Sequence, residues 1–376
     1  MAMSESRTDK SLEVPEMMKA WVLDDPEQLR LTEKPVPKPG PAEILVRIDA
    51  VAICGTDLEI LTYGLPAIIE GGMPFNKNFT PGHEYMGTVV QLGQGVDDFK
   101  IGDRVTAEIH AGCGRCERCR EGMYTSCSNY GLNYGDKDKG HRANGFTTDG
   151  AFAEYAVNNI NTLISVPDDM SDEEATLVVT AGTAMYGLDV MGGLIAGKSI
   201  AVTGPGPIGL MGVAMAKSLG AQPVILTGTR DSRLEMGKQL GADHVINVRQ
   251  ENAVDKVMEL TNGKGVHYVL ECSGASNALN EAAQMTNRGG RVCLAAFPHE
   301  PVPVDLAHLV RNNIYVYGIR GEGQSATHRA MAFMQQKRFD ATIIHTHTFD
   351  FDETPKAIHY AKERIEDAIK VVVKMS

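Results

Sequence analysis

Between Ser199 and Ile319 the chain alternates short apolar runs with helical stretches, and this grain restricts its fold more than any other feature. The runs are SIAVT (199–203), PVILT (223–227), HVIN (244–247), HYVLEC (267–272), RVCLAAF (291–297) and IYVYGI (314–319). In the first stretch between them, Ile208, Met211, Met215 and Leu219 recur at spacings of three to four, one face of a helix. Six strands joined by crossover helices describe an α/β fold built on a doubly wound parallel sheet. Residues 199–216 are uncharged, yet they contain GPGPIG, so they suit a buried strand–turn–helix better than a membrane span.

That turn carries Gly204, Gly206 and Gly209, a G-x-G-x-x-G triplet directly after a strand and at the start of a helix. In this context the glycines let backbone amides approach a pyrophosphate at the positive end of the helix. A Gly-rich turn that binds nothing is the competing reading.

The first third has a different grain. Val46 and Ile48 alternate with Arg47 and Asp49, the period of a half-buried strand. YMGTVVQLG (85–93) and GAFAEYAV (150–157) read as further strands. Frequent turn signals between them suggest a small barrel or sandwich. The last segment reads as helices around 326–337 and 354–365 and a closing strand AIKVVV at 368–373. Residues 1–17, polar and charged, read as a frayed tail without the apolar core of a signal peptide. A net charge of −12 over 376 residues argues against nucleic-acid binding, which needs a basic surface. These features together predict a soluble, cytoplasmic protein that neither spans nor anchors to a membrane.

Four of the seven cysteines fall within CGRCERCREGMYTSC (113–127). In a reducing compartment such clusters are more often metal ligands than disulfides. Cys113, Cys116, Cys119 and Cys127 could supply the four thiolates of a structural zinc site, with Arg115, Arg118 and Arg120 offsetting the excess negative charge. An iron–sulfur cluster is the nearest rival, but its fourth cysteine usually follows after three residues and precedes proline. Here it follows after seven and precedes Ser128. Metal-free thiols are the remaining reading. A second set lies in the β-rich part, where Cys54 opens CGTD and His83 with Glu84 sits in PGHEYMG. Thiolate, imidazole and carboxylate are all zinc ligands, and a catalytic site keeps one position open. Singly, Cys54 reads as a core residue and His83 as a turn histidine.

CGTD, GHE-x-x-G, GDRV (102–105), the four-cysteine lobe, GAFAEY, GPGPIG and AIKVVV occur in an order that resembles the zinc-containing medium-chain dehydrogenase/reductase superfamily of alcohol, polyol and threonine dehydrogenases. The resemblance runs from Met18 to the C-terminus. It implies a GroES-like catalytic domain (18–180) with a zinc lobe at 113–127, a Rossmann domain (181–318), and a return to the catalytic domain (319–376). It implies two zinc ions, a structural one in the lobe and a catalytic one on Cys54 and His83, with Thr56 passing the substrate proton onward. It implies a small-molecule substrate, a dimer or tetramer, and a dinucleotide on Gly204, Gly206, Pro207, Ile208 and Gly209, with Lys370 at its phosphates.

Two departures from the family pattern matter. Thr180 stands where many relatives carry a third zinc ligand, so Glu84 is the expected substitute, as in polyol dehydrogenases; the alternative is that Glu84 only orients the site. Glu59 replaces the histidine that ends the proton relay in many relatives, and reads either as a relay carboxylate or as a surface charge. The expected activity is oxidation of a secondary alcohol, narrowed by Glu84 and Thr180 to a polyol, sugar or cyclitol. The alternatives are a zinc-free enone or quinone reductase and an inactive cofactor-binding relative. NADP is expected over NAD because the second strand ends in Gly228, Thr229 and Arg230 rather than a carboxylate, with Arg233 nearby. Asp231 is the complication, since its carboxylate could bind the ribose of NAD.

Overall fold

The computed structural model describes residues 13–64, 78–129, 142–193, 195–296, 298, 300–323 and 325–375. Most of the tail, and much of the loops 63–80 and 131–149 from which pocket residues are expected, lie outside these. Six strands form one parallel sheet in the order His244–Asn247, Val224–Gly228, Ile200–Thr203, Val266–Glu271, Thr286–Leu294, Tyr315–Gly318. Strand order therefore reverses beside Ile200–Thr203, and the glycine triplet lies at the C-terminal end of that strand, the switch point where such sheets bind ligands.

The β-rich part is a second sheet ordered His345–Asp350, Lys370–Lys374, Glu43–Ala52, Glu84–Leu92, Arg104–Ala107, Leu163–Ser165, with Tyr155–Asn159 also paired to Glu43–Ala52. The last strands of the chain thus join this β-rich sheet, built otherwise from the first half of the chain. Val46 and Ile48 are buried while Arg47 and Asp49 are half-buried, as the alternation predicts. Toward its end the strand buries both faces, Ala50, Val51 and Ala52 included, because it runs into the core.

GAFAEYAV is a strand only from Tyr155. Its first residues cross the PGHE turn at backbone distance: Gly150 N–H donates to Thr80 O, Ala151 N–H to Gly82 O and Phe152 N–H to Pro81 O. A Cβ on Gly150 would stand 2.1 Å from Gly82 O, so only glycine permits the crossing. This crossing fixes the segment that presents His83.

The largest apolar cluster joins both sheets. At its centre lies the helix Val178–Val190, with every residue from Val178 to Leu188 buried. Gly182 lets the helix Ala326–Gln335 approach closely, since a Cβ there would lie 2.6 Å from Thr327 Oγ1. Each fully buried Leu or Met here contributes about 1.5–3 kcal/mol. A helix so placed must satisfy any hydroxyl it carries internally. No helix among the described residues is long and apolar enough to cross a membrane.

Gly150→Ala is expected to lower stability by about 1–3 kcal/mol through overpacking, read from the urea midpoint. Gly318→Ala, with open space around the added Cβ, should leave the midpoint in place.

Candidate active site and cofactor cleft

Cys54 precedes the helix Gly55–Tyr63, and Asp57 stands in its first turn, wholly buried. One carboxylate oxygen of Asp57 accepts the Cys54 backbone N–H at 2.9 Å. The other lies 2.9 Å from His83 Nδ1. One side chain therefore orients both candidate ligands and leaves Nε2 of His83 for a metal, the arrangement in which a carboxylate fixes a ligating imidazole. Burial works against a charged His83, but Asp57 and Cys54 outweigh it and hold the imidazole well above its usual range. The Phe146 ring lies 4.9 Å from the imidazole. Thr56 Oγ1 is 3.9 Å from Cys54 Sγ, and Glu59 is half-buried farther along the same helix.

Glu84 begins the strand after the PGHE turn. Its Oε1 accepts from Thr180 Oγ1 at 3.0 Å, and its Oε2 pairs with Lys370 Nζ. Lys370 is 1% exposed and does not line the cofactor cleft. In the structure its ammonium is taken by Glu84, inside the core. Burial disfavours its charge, but Glu84 and Cys54 more than compensate and raise its pKa. Each oxygen of Glu84 keeps a second lone pair beyond these contacts.

Ligand atoms of Cys54, His83 and Glu84 lie within 4.8 Å of one another. With Cys54 as thiolate and His83 in the neutral form a metal requires, three anionic groups (Cys54, Asp57, Glu84) face one ammonium, leaving an excess of two negative charges that suits a divalent cation. The donor set fits zinc.

The four lobe cysteines are free thiols whose sulfurs likewise lie within 4.8 Å of one another. Tetrahedral zinc–thiolate bonds of about 2.3 Å require such spacing. Gly112 is needed beneath them, for a Cβ there would stand 2.6 Å from Cys119 Sγ. Cys116 caps the helix Glu117–Arg120, and Asn129 N–H points at Cys127 Sγ at 3.4 Å. Burial opposes thiolate formation at Cys116, but the Cys119 and Ser128 amides bring its pKa down to about 6.

At the other sheet, a cleft of about 400 Å³ is lined by Gly204, Gly206, Gly228, Thr229, Arg230 and Arg233, among others. The helix Pro207–Ser218 starts there with Pro207 in its first turn and Gly206 at its cap, where no side chain satisfies the first amides. Ile208 is partly buried in the core cluster, while Gly209 is buried against Gly204 O. A Cβ on Gly228 would stand 2.5 Å from the Pro205 ring. Arg364, absent from the sequence reading, also lines the cleft. Burial, with Arg230 and Arg364 close by, brings Arg233 down to about 10. Asp367 pairs with Arg230 at 3.3 Å, and Arg233 donates to Ala368 O. Asp231 accepts from Asn247 Nδ2 at 2.7 Å and does not line the cleft.

Sequence reasoning also passed over two buried carboxyls, Glu108 and Glu322. Burial and the neighbouring Glu108 push Glu322 up to about 8, and burial raises Glu108. Nothing in the loop sequence GIRGEGQ marks Glu322 as buried. Asp57, by contrast, stood in plain sight as the last residue of CGTD.

Residues 40–168 match the alcohol dehydrogenase GroES-like domain, and residues 207–336 match the zinc-binding dehydrogenase family. The chain is 38% identical over 330 residues to L-threonine 3-dehydrogenase of Pyrococcus horikoshii, covering 87% of this chain and 90% of that protein. It is 32% identical over 361 residues to sorbitol dehydrogenase of Bacillus subtilis, covering 96% and 98%. Among solved structures, an oxidoreductase of unknown specificity from Escherichia coli superposes with a TM-score of 0.87 at 26% identity, covering 96% of this chain and 99% of that one.

Metal analysis of the purified protein should find about two zinc equivalents per chain, one for each donor set. Cys54→Ser should lose one equivalent and keep the fold. Cys116→Ser should lose the other and lower the melting temperature, because a structural metal contributes folding free energy.

Proposed function

The chain belongs to the zinc-containing medium-chain dehydrogenase/reductase superfamily, and from that premise we propose that it is an NADP-dependent dehydrogenase of secondary alcohols bearing further hydroxyls: a polyol, sugar or cyclitol. That it is a zinc-type NAD(P)-dependent alcohol dehydrogenase follows from the family. The observation that carries the finer reading is the set of half-buried Cys54 with buried His83 and Glu84, with Glu84 held by Thr180 where a different third ligand is usual.

Cys54, His83 and Glu84 would hold the catalytic zinc. Bound there, zinc supplies Lewis-acid polarisation of the substrate oxygen. Asp57 keeps His83 in the tautomer that can ligate, and Lys370 with Thr180 fixes the direction of the Glu84 carboxylate. The Thr56 hydroxyl takes the substrate proton, and Glu59 passes it toward solvent. The first amides of Pro207–Ser218 would hold the pyrophosphate of a dinucleotide, which when bound supplies hydride exchange with the carbinol carbon.

NADP is favoured by charge and by space. Arg230, Arg233 and Arg364 crowd one end of the cleft, and like charges brought together in this way are relieved by an anion such as a 2′-phosphate. A carboxylate-bearing side chain at position 228 would collide with Pro205, and Asp231 is turned to Asn247. Catalytic efficiency should therefore be higher with NADP than with NAD. Arg230→Ala should reduce it about tenfold or more with NADP, a lost charge-assisted contact, and little with NAD. A preference for NAD unaffected by this substitution would refute the assignment.

A homodimer, alone or as half of a tetramer, is supported by the outer edge of the parallel sheet. Tyr315 and Val316 on the edge strand are 55% and 37% exposed, beside Leu306 and Val310 at 66% and 75% on the preceding helix. Bare apolar edges of this kind invite pairing with a second copy. Light scattering should give at least twice the chain mass, and Val316→Lys should shift the population toward monomer.

A further inference from the structure

Glu108 and Glu322 come from the loop after strand Arg104–Ala107 and the loop before helix Ala326–Gln335, yet they meet in the core, 7% and 4% exposed. Glu322 Oε1 lies 3.0 Å from Thr183 Oγ1. Its Oε2 is buried with no hydrogen-bond partner, and beside it the buried Glu108 carboxyl is eased by the Thr327 hydroxyl, itself wholly inaccessible. A buried oxygen left unpaired costs about 1–3 kcal/mol. Such an atom in a native core calls for a partner.

Two independent paths bring this cluster next to the metal donors. Thr180 and Thr183 lie three residues apart on one face of a helix, about 5 Å from each other. The first holds Glu84 and the second meets Glu322. On the other side, the Phe146 ring is 4.9 Å from His83 and 5.8 Å from His110, and His110 packs against Gly321, the neighbour of Glu322.

We propose that Glu108, Glu322 and Thr327 form the second anchoring point of the substrate pocket, taking a neutral hydroxyl adjacent to the carbinol that is oxidised and excluding anionic groups. This rests on the polyol reading above. With both acids pushed toward the neutral form, the pair offers an O–H donor as well as acceptors, which suits a hydroxyl, a group that does both. A carboxylate or phosphate in the same place would be buried beside groups that already resist ionisation, a costly desolvation. The pocket would then separate vicinal diols from L-threonine, the substrate named for the Pyrococcus relative, whose α-carboxylate sits beside its carbinol carbon.

The test compares butane-2,3-diol, 2-butanol, 3-amino-2-butanol and L-threonine on the zinc- and cofactor-loaded enzyme. The wild type should prefer the diol over 2-butanol by at least about tenfold in kcat/KM, as expected where a site is built to hydrogen-bond a substrate group. L-threonine should be the poorest substrate. Glu322→Gln should raise KM for the diol more than it lowers kcat, and should reduce the diol-to-2-butanol ratio about tenfold. The double variant Glu108→Gln/Glu322→Gln should gain on L-threonine relative to the diol. Calorimetric titration of diol into the loaded protein, with no turnover measured, should weaken in parallel, and circular dichroism checks that each variant is folded. An unchanged ratio in a folded Glu322→Gln overturns the proposal, as does a wild-type preference for L-threonine. A preference for the amino alcohol overturns the hydroxyl assignment. A loaded enzyme inactive on every alcohol instead overturns the polyol reading, and this proposal with it.

Discussion

The buried pair of Lys370 and Glu84 is the interaction on which the rest of the architecture depends. It joins residues 286 positions apart and stands where the closing strand enters the β-rich sheet beside Glu43–Ala52. Taking two charges out of water costs several kcal/mol per ion, which only close pairing and further hydrogen bonds offset. Thr180 provides one of those bonds, from a helix that packs against both sheets. The pair can form only when the chain's last strand, the PGHE turn and the central helix are all in place. Removing one member would leave the other charged and alone, a loss of about 3–5 kcal/mol.

The same economy shapes the metal-binding end of the cleft. Asp57 serves Cys54 and His83 at once, and Glu84 answers Thr180 and Lys370 at once. Every carboxylate oxygen in this group has a neighbour that fixes its direction before any metal arrives. Glycines complete the arrangement by letting backbones cross: Gly150 over the PGHE turn, Gly182 against Thr327. Positions that look featureless in the sequence therefore set the orientation of those that look chemical.

Much of this was legible in the sequence, for identifiable reasons. The six strands of the parallel sheet are apolar runs bounded by turn residues, and local pattern was enough to find them within a residue or two, apart from the longer Thr286–Leu294. The two thiol and imidazole sets could be read because their members lie close together or within short motifs. GAFAEYAV misled because its small residues serve a backbone crossing, which has the composition of a strand without its pairing. Nothing near Lys370 in sequence reveals its pairing with Glu84. Glu322 and Arg364 stayed hidden for the same reason, since burial and convergence are properties of the fold and neither sits in a periodic or motif-bearing stretch.

The two ends of the active site carry opposite electrostatic character. Arg230, Arg233 and Arg364 gather beyond the tip of strand Val224–Gly228, while Asp57, Glu84, Glu108 and Glu322 surround the metal-binding end. A molecule with phosphates at one end and a neutral or cationic ring at the other has one favourable orientation in such a field. Entered the other way, its phosphates would leave the three guanidiniums and the first amides of Pro207–Ser218 without the anion they face. In a chain with a net charge of −12, these three arginines mark where an anion would dock.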